Sequence, residues 1–245
     1  MPQSYHFDSS SKTFVADPMT LNSTARSMSP TFATDPPPEE LKSFSQSKQD
    51  KIVLSFLKEK ENGYFVDLAS NHWQVLSNTY RMEAFNKWQG VCIEPHPMYL
   101  EGLLSNRKCK VFTCAVGSND NEIVKFRFLK GDKGVFAGVV GEGMDNEGSQ
   151  ADDKEVASVS LTTLLDFAKA PAVMDYLSLD VEGGEFQVVK GLDHSKYTFH
   201  VVTVERPKAN THHALARAGY RFVYMMTTFG ECIYLHRSIP NDTEL

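Results

Sequence analysis

Acidic residues in this 245-residue chain stand where apolar runs end. Asp67, Glu94, Asp180 and Glu205 lie at or near the ends of short apolar runs that predict buried strands, and Glu182 follows Asp180 by two positions. If these strands are parallel neighbours, their carboxyl ends meet at one edge of a sheet, where open α/β sheets bind ligands. Carboxylates gathered there can accept hydrogen bonds from ribose hydroxyls, take up protons or hold a hard cation such as Mg²⁺.

The order of elements supports this arrangement. Short apolar runs alternate with segments of helical periodicity, which predicts an α/β protein with a mostly parallel sheet and helices on both of its faces. The last two runs predict an antiparallel C-terminal hairpin, which completes a seven-stranded sheet. The predicted strands are 63–69, 90–94, 110–116, 175–180, 200–205, 221–226 and 231–236, and the predicted helices are 79–88, 98–105, 161–168, 185–190 and 211–218.

Residues 1–40 differ in composition from the rest of the chain. They are rich in Ser, Thr and Pro and poor in large apolar residues, so we predict a flexible N-terminal tail. We predict that residues 41–240 form a single domain. An insert at about 122–157 shows the alternation of half-buried strands.

Charge and composition exclude several classes of protein. The formal net charge is −6, and nucleic-acid binding usually needs a clustered basic face, so no nucleic-acid partner is expected. The short basic run 107–110 is the one small cluster that stands out. None of the four cysteines has metal-binding spacing, and we expect buried thiols. No apolar stretch reaches the roughly 18 residues that a membrane helix needs, which predicts a soluble protein of the cytoplasm or a lumen.

Glu94 is the most informative of the acids. An acid that ends the second strand, about 20 residues after the first strand, can accept hydrogen bonds from both hydroxyls of a ribose. A dinucleotide site would also need a G-x-G-x-x-G turn for its pyrophosphate, whereas the turn at 67–72 contains no glycine. A nucleoside cofactor without a pyrophosphate therefore fits better.

Several segments in a fixed order extend this interpretation over about residues 44–236. They are SQSKQD (45–50), FVDLASN (65–71), SNT (77–79), WQGVCIEPHP (88–97), LSLDVEGGE (177–185), VVKGL (188–192) and TVE (203–205). Together they resemble the FkbM-type methyltransferase family. The resemblance implies a Rossmann-like class I methyltransferase fold and S-adenosylmethionine as the cofactor.

The resemblance also implies a reaction and a site. The expected reaction is methyl transfer to an oxygen, on a hydroxyl of a sugar, a glycan or a small natural product, with Asp180 or Glu182 as general base and Glu205 beside them. Paired carboxylates raise one another's pKa, which suits a base near neutral pH. The expected cofactor-binding residues are Asp67, Ala69, Asn71, Ser77, Asn78, Glu94, Pro95, Ala115, Val116 and Asp180.

Two alternatives stay open at this point. The same acids, Asp180 and Glu205 first, could hold Mg²⁺. Ala69 stands where the family usually has glycine, and its methyl group would lie where cofactor and backbone approach closely, so a non-catalytic cofactor-binding or scaffold protein with the same fold is the second reading. We expect the insert and the tail to form or cover the acceptor pocket, because the cofactor fold does not need them.

Overall fold

The computed structural model describes residues 4–8, 13–16, 42–129, 137–141, 144 and 152–239. The strands are β1 (Ser4–Asp8), β2 (Thr13–Ala16), β3 (Tyr64–Leu68), β4 (Gln89–Ile93), β5 (Lys110–Thr113), β6 (Ala115–Gly117), β7 (Ile123–Phe128), β8 (Gly138–Val139), β9 (Asp152–Ser160), β10 (Val173–Leu179), β11 (Thr198–Glu205), β12 (Tyr220–Met225) and β13 (Glu231–His236). The helices are α1 (Gln49–Phe56), α2 (Tyr80–Phe85), α3 (Pro97–Asn106), α4 (Leu161–Ala168), α5 (Glu185–Lys190) and α6 (Ala209–Arg217).

The main sheet has the order β12-β13-β11-β10-β3-β4-β5-β1-β2. The strands β11, β10, β3, β4 and β5 are parallel to one another, and β12 and β13 form the C-terminal hairpin, in which β13 pairs antiparallel with β11. The seven strands from β12 to β5 confirm the predicted mixed sheet. The chain runs from β3 to β4 on one side and later returns to β10 on the other, so a crevice opens between their carboxyl ends.

Alternation along the strands explains why both faces are covered. In β3, Phe65 packs into one apolar cluster and Val66 into the other. One cluster includes residues of α1, α2 and α3, and the other includes residues of α4, α5 and α6. Helices therefore bury apolar faces against both faces of the sheet, which confirms the predicted arrangement.

The predicted strand 110–116 is divided in the structure. Its first part is β5 in the main sheet, while β6 leaves that sheet after Cys114 and pairs with β9. A second sheet with the order β6-β9-β7-β8 results, and it contains the described strands of the insert. Helix α1 was not predicted; Val53, Leu54 and Phe56 bury it against the main sheet.

The N-terminal segment also differs from the expectation at two places. Strand β1 pairs in parallel with β5, and β2 pairs with β1. The ring of Tyr5 stacks on Phe112 at 5.3 Å and meets the edge of Phe167 at 5.4 Å. Without β1, strand β5 would be an open edge of the sheet, and pairing satisfies its backbone. Residues 1–3, 9–12 and 17–41 lie outside the described residues.

Candidate active site

The loops that follow β3, β10 and β11 share an unusual backbone. Ala69, Asn71, Glu182 and Arg206 all have positive φ angles, of 56°, 51°, 57° and 44°. Side chains disfavour this left-handed conformation, and residues held in it cluster at functional sites. These four of the twelve non-glycine residues with positive φ in the described part of the chain lie at the carboxyl edge of the sheet, where the acids were predicted to meet.

Glu94 lies buried at the end of β4 and is held by two backbone amides. Its Oε2 accepts a hydrogen bond from the Asn71 amide at 2.9 Å, and its Oε1 accepts one from the His96 amide at 2.7 Å. The Asn71 side chain donates to the Ala69 carbonyl at 2.9 Å and braces the same turn. Burial raises the pKa of Glu94 to about 7, although both amides act in the opposite direction.

An apolar pocket opens beside Glu94. Four of the predicted cofactor residues, Ala69, Pro95, Ala115 and Val116, line it together. The other lining residues are Leu68, Ile93, Cys114, Phe126, Gly138, Val139 and Val181. Such a pocket suits a flat apolar group attached to a more polar one that Glu94 can bind.

The insert contributes to this pocket directly. Phe126 comes from β7, and Gly138 and Val139 form β8. The second sheet therefore lies against the predicted cofactor residues, in addition to any role at the acceptor pocket. Val181 joins the same wall from the loop after β10, between Asp180 and Glu182.

Asp180, Glu182 and Glu205 form one cluster of acids. One carboxylate oxygen of each lies within 4.8 Å of the others. The Oδ1 atom of Asp180 is buried and has no hydrogen-bond partner among the described residues. Burial and then the nearby Glu205 raise the pKa of Asp180 well above its usual range. The sequence thus predicted a group of carboxylates that the structure brings together.

Two neighbours of this cluster, Glu231 and Arg206, were not predicted. Glu231 opens β13 opposite Glu205, and burial followed by the charge of Glu205 raises its pKa to about 7. Arg206 donates from Nη2 to Glu182 at 3.0 Å and to Glu205 at 2.6 Å. Arg206 directly follows Glu205, so its position could have been noticed in the sequence, whereas Glu231 requires the register of β13 against β11.

Glu185 holds the backbone of the loop that carries Asp180 and Glu182. Its Oε1 accepts hydrogen bonds from the amides of Gly183 at 2.9 Å and Val181 at 3.4 Å. The side chain is buried at the start of α5. Glu185 therefore fixes the backbone that carries Glu182.

The remaining predicted cofactor residues, Asp67, Ser77 and Asn78, lie in a hydrogen-bonded layer beneath the crevice. Asp67 is buried, and burial raises its pKa. Ser77 Oγ accepts a hydrogen bond from the amide of Tyr80 at 3.1 Å at the start of α2. Asn78 donates from Nδ2 to Ser178 on β10 at 3.0 Å. Ser77 thus faces the interior and is not among the residues that line the apolar pocket.

Arg107 occupies the centre of this layer, although the sequence placed it in a basic run. Its side chain is fully buried, and Nε donates to Glu83 at 2.7 Å. Its Nη2 donates to Thr79 Oγ1 at 2.9 Å, and its Nη1 lies 3.4 Å from Ser77 Oγ. The guanidinium also lies over the Phe65 ring at 5.4 Å. No local pattern marks this residue, because its partners come from other elements.

The strand order with its antiparallel C-terminal hairpin, together with an acid at the end of β4, fits the class of Rossmann-like methyltransferases. Residues 60–226, about two thirds of the chain, match the family described as the methyltransferase FkbM domain. The chain therefore belongs to the FkbM family of S-adenosylmethionine-dependent methyltransferases.

Other comparisons add less. No protein of curated function matches the sequence. A solved structure described as precorrin-6y C5,15-methyltransferase from Geobacter metallireducens GS-15 matches with 12% identity and a TM-score of 0.39, covering 79% of this chain and 89% of that one. None of the helices among the described residues combines the length and apolarity needed to cross a membrane.

Proposed function

We propose that this protein transfers a methyl group from S-adenosylmethionine to a hydroxyl oxygen of a sugar, a glycan or a small natural product. The observation that carries the proposal is that one apolar pocket is lined by neighbours in sequence of both Glu94 and the acids after β10. The lining residues Ile93 and Pro95 flank Glu94 in the chain, and the lining residue Val181 lies between Asp180 and Glu182. A nucleoside site at Glu94 and a proton-accepting site at Asp180 would then lie on either side of this pocket.

The cofactor's nucleoside fits the first half of this crevice. The apolar pocket of Ala69, Pro95, Ala115 and Val116 would take the adenine ring. Glu94 would accept hydrogen bonds from the ribose hydroxyls, because each of its oxygens accepts only one amide and keeps a further lone pair. Asn71 fixes the turn between them.

The acids in the second half would handle the proton. When bound, S-adenosylmethionine supplies an electrophilic methyl group on a positively charged sulfur. Asp180 is our first candidate for general base, because Arg206 already binds Glu182 and Glu205 while Asp180 Oδ1 has no partner among the described residues. Glu182 is the second candidate. Asp180 must lose its own proton before it can act, and a positive charge nearby lowers the pKa of a carboxyl group.

The same cluster offers the oxygen ligands that Mg²⁺ prefers. Asp180 and Glu205 would be its first ligands, and the ion would lower the negative charge of the site. Arg206 already supplies one positive charge to Glu182 and Glu205, which favours a reaction without metal. The effect of Mg²⁺ on binding separates the two.

A non-catalytic protein with the same fold is the second candidate function, and Ala69 is the observation that favours it. Ala69 lines the apolar pocket with a φ of 56°, so its methyl group occupies space that glycine would leave open. Such a protein would bind the cofactor weakly or not at all and would transfer no methyl group.

The proposal is tested by calorimetric titration with S-adenosylmethionine and S-adenosylhomocysteine, with and without Mg²⁺. Transfer of a labelled methyl group to a panel of hydroxylated acceptors follows. Micromolar binding with transfer to an oxygen supports the proposal. Binding without transfer to any acceptor favours the non-catalytic protein, and transfer only to nitrogen or carbon would refute O-methylation.

A further inference from the structure

His96 links the corner that holds Glu94 to the second sheet. Its backbone amide donates to Glu94 Oε1 at 2.7 Å, and its ring nitrogen Nε2 lies 2.6 Å from the carbonyl oxygen of Leu129, directly after β7. The side chain is buried at the start of α3. Pro95 and Pro97 restrict the backbone on both sides of His96, so the ring extends from a rigid corner.

The hydrogen bonds of the ring fix which of its nitrogens carries the hydrogen. The amide of Met98 donates to His96 Nδ1 at 3.2 Å and caps α3, so Nδ1 carries no hydrogen. The neutral ring therefore carries its hydrogen on Nε2 and donates it to the Leu129 carbonyl. Two further rings pack against it, Tyr99 of α3 at 5.6 Å and Phe128 of β7 at 5.5 Å. His96 thus joins α3 to the end of β7.

The end of β7 matters because it carries part of the wall of the apolar pocket. The second sheet has the order β6-β9-β7-β8, so β8 lies at its edge and pairs with β7 alone among the described strands. Phe126 of β7 and Gly138 and Val139 of β8 line the pocket. The contact at Leu129 therefore holds the pair of strands that supplies these three lining residues.

We infer that His96 is a positioning residue that fastens β7 and β8 to the corner of Glu94, and that the pocket binds the cofactor more weakly once this ring contact is lost. The inference rests on the proposed function. His96 acts without touching the cofactor, because both of its ring nitrogens are already bonded. Since its amide holds Glu94 and its ring holds the insert, cofactor binding and closure of the insert should stabilise each other.

Two substitutions separate the roles of the two ring nitrogens. His96→Asn can place an acceptor near the position of Nδ1 and keep the cap of α3, but its side chain is too short to reach Leu129. His96→Gln can place an amide hydrogen near the position of Nε2 and keep the bond to Leu129, but it loses the acceptor for Met98. Both remove the imidazole and keep the backbone amide that binds Glu94, so each is the matched control of the other.

Hydrogen exchange of the protein without ligand measures the fastening itself. We expect the amides of β7 to exchange about tenfold faster in His96→Asn than in the wild type, because the buried carbonyl of Leu129 loses its donor. In His96→Gln they should exchange within about threefold of the wild type. The amides of β10 should exchange alike in all three proteins.

Calorimetric titration with S-adenosylhomocysteine measures the consequence for the pocket. His96→Asn should weaken binding about fivefold to tenfold, and His96→Gln should bind within about twofold of the wild type. Variants that are alike in exchange or in affinity, or a larger loss in His96→Gln, would overturn the inference, while wild-type binding keeps the proposed function. A folded wild-type protein that does not bind S-adenosylhomocysteine would overturn both.

Discussion

The two halves of the crevice treat their carboxylates in opposite ways. Around Glu94, each carboxylate oxygen is matched by a backbone amide of the turn it supports. Around Asp180, the carboxyl groups of Glu182, Glu205 and Glu231 lie close together, and the guanidinium of Arg206 binds Glu182 and Glu205. The first half is preorganised, while the second brings several carboxyl groups close enough to raise the pKa of Asp180 and Glu231.

This difference suggests that cofactor binding and proton transfer depend on different halves of the crevice. A preorganised acceptor contributes to binding of any ligand with suitable hydroxyls, whatever its charge. A crowded cluster of acids favours protonated carboxyl groups until a cation arrives. The Glu94 half should therefore govern cofactor affinity and the Asp180 half should govern the rate of transfer.

Asp180→Asn should give the largest effect, because it removes the candidate base without changing its size. We expect the turnover number to fall between about 10²-fold and 10⁴-fold, the range typical of general acid-base groups, while S-adenosylhomocysteine binds within about threefold of the wild type. Measured turnover numbers and calorimetry check this. Asp166 lies on α4 and forms an ion pair with Lys196, and Asp166→Asn is a control that should change neither quantity. Full activity of Asp180→Asn would move the base to Glu182.

Glu94→Gln should reverse that pattern. Loss of the charged acceptor for the ribose should weaken S-adenosylmethionine by about 10-fold to 100-fold, since a hydrogen bond to a charged group is worth about 1.5–3 kcal/mol. The turnover number at saturation should change much less. Glu94→Ala should abolish measurable binding, because it also leaves the amides of Asn71 and His96 without their acceptor. A thermal melt near that of the wild type is the control, and an unchanged affinity of the folded variants would refute the ribose assignment.

The pH dependence of cofactor affinity should also reveal Glu94, with a smaller effect than the substitution has. The pKa of Glu94 is about 7 in the free protein, above its ordinary value of 4.5, so the folded state holds a proton that the unfolded state has lost between these values. Its contribution to stability therefore decreases as pH rises from 4.5 to about 7. Ribose hydroxyls favour the ionised form, so affinity should fall up to about tenfold per pH unit below pH 7 and level off above it. Glu94→Gln should remove this slope; a slope that persists would come from another group.

Which site residues can be predicted from the sequence depends on whether a local pattern marks them. Acids at the ends of apolar runs are a local pattern, and parallel strands necessarily bring such ends together, so Asp180, Glu182 and Glu205 could be expected to meet. The pocket residues Ala69 and Pro95 follow from the same rule.

The rest required information that no local pattern contains. Arg107 lies beside Lys108 and Lys110 and resembles a surface residue, yet its partners Glu83 and Thr79 reach it from another part of the chain. Strand β6 continues the apolar run of β5 without a Gly or Pro that would mark its departure to the second sheet. Both features depend on tertiary packing.

Ala69→Gly should give the smallest effect. It tests the Glu94 half of the crevice alone, because Ala69 lines the apolar pocket. An alanine in the left-handed region costs about 1–2 kcal/mol, which glycine avoids, but glycine loses about 0.5–1 kcal/mol through its greater freedom when unfolded. We therefore expect a free energy of unfolding within about 1 kcal/mol of the wild type and cofactor binding up to about threefold tighter, measured by denaturant titration and calorimetry. Because the Asp180 half is untouched, the turnover number should not change. If methyl transfer instead appeared only in the glycine variant, the methyl group of Ala69 would be what closes the site, and the native chain would be the non-catalytic member of its family.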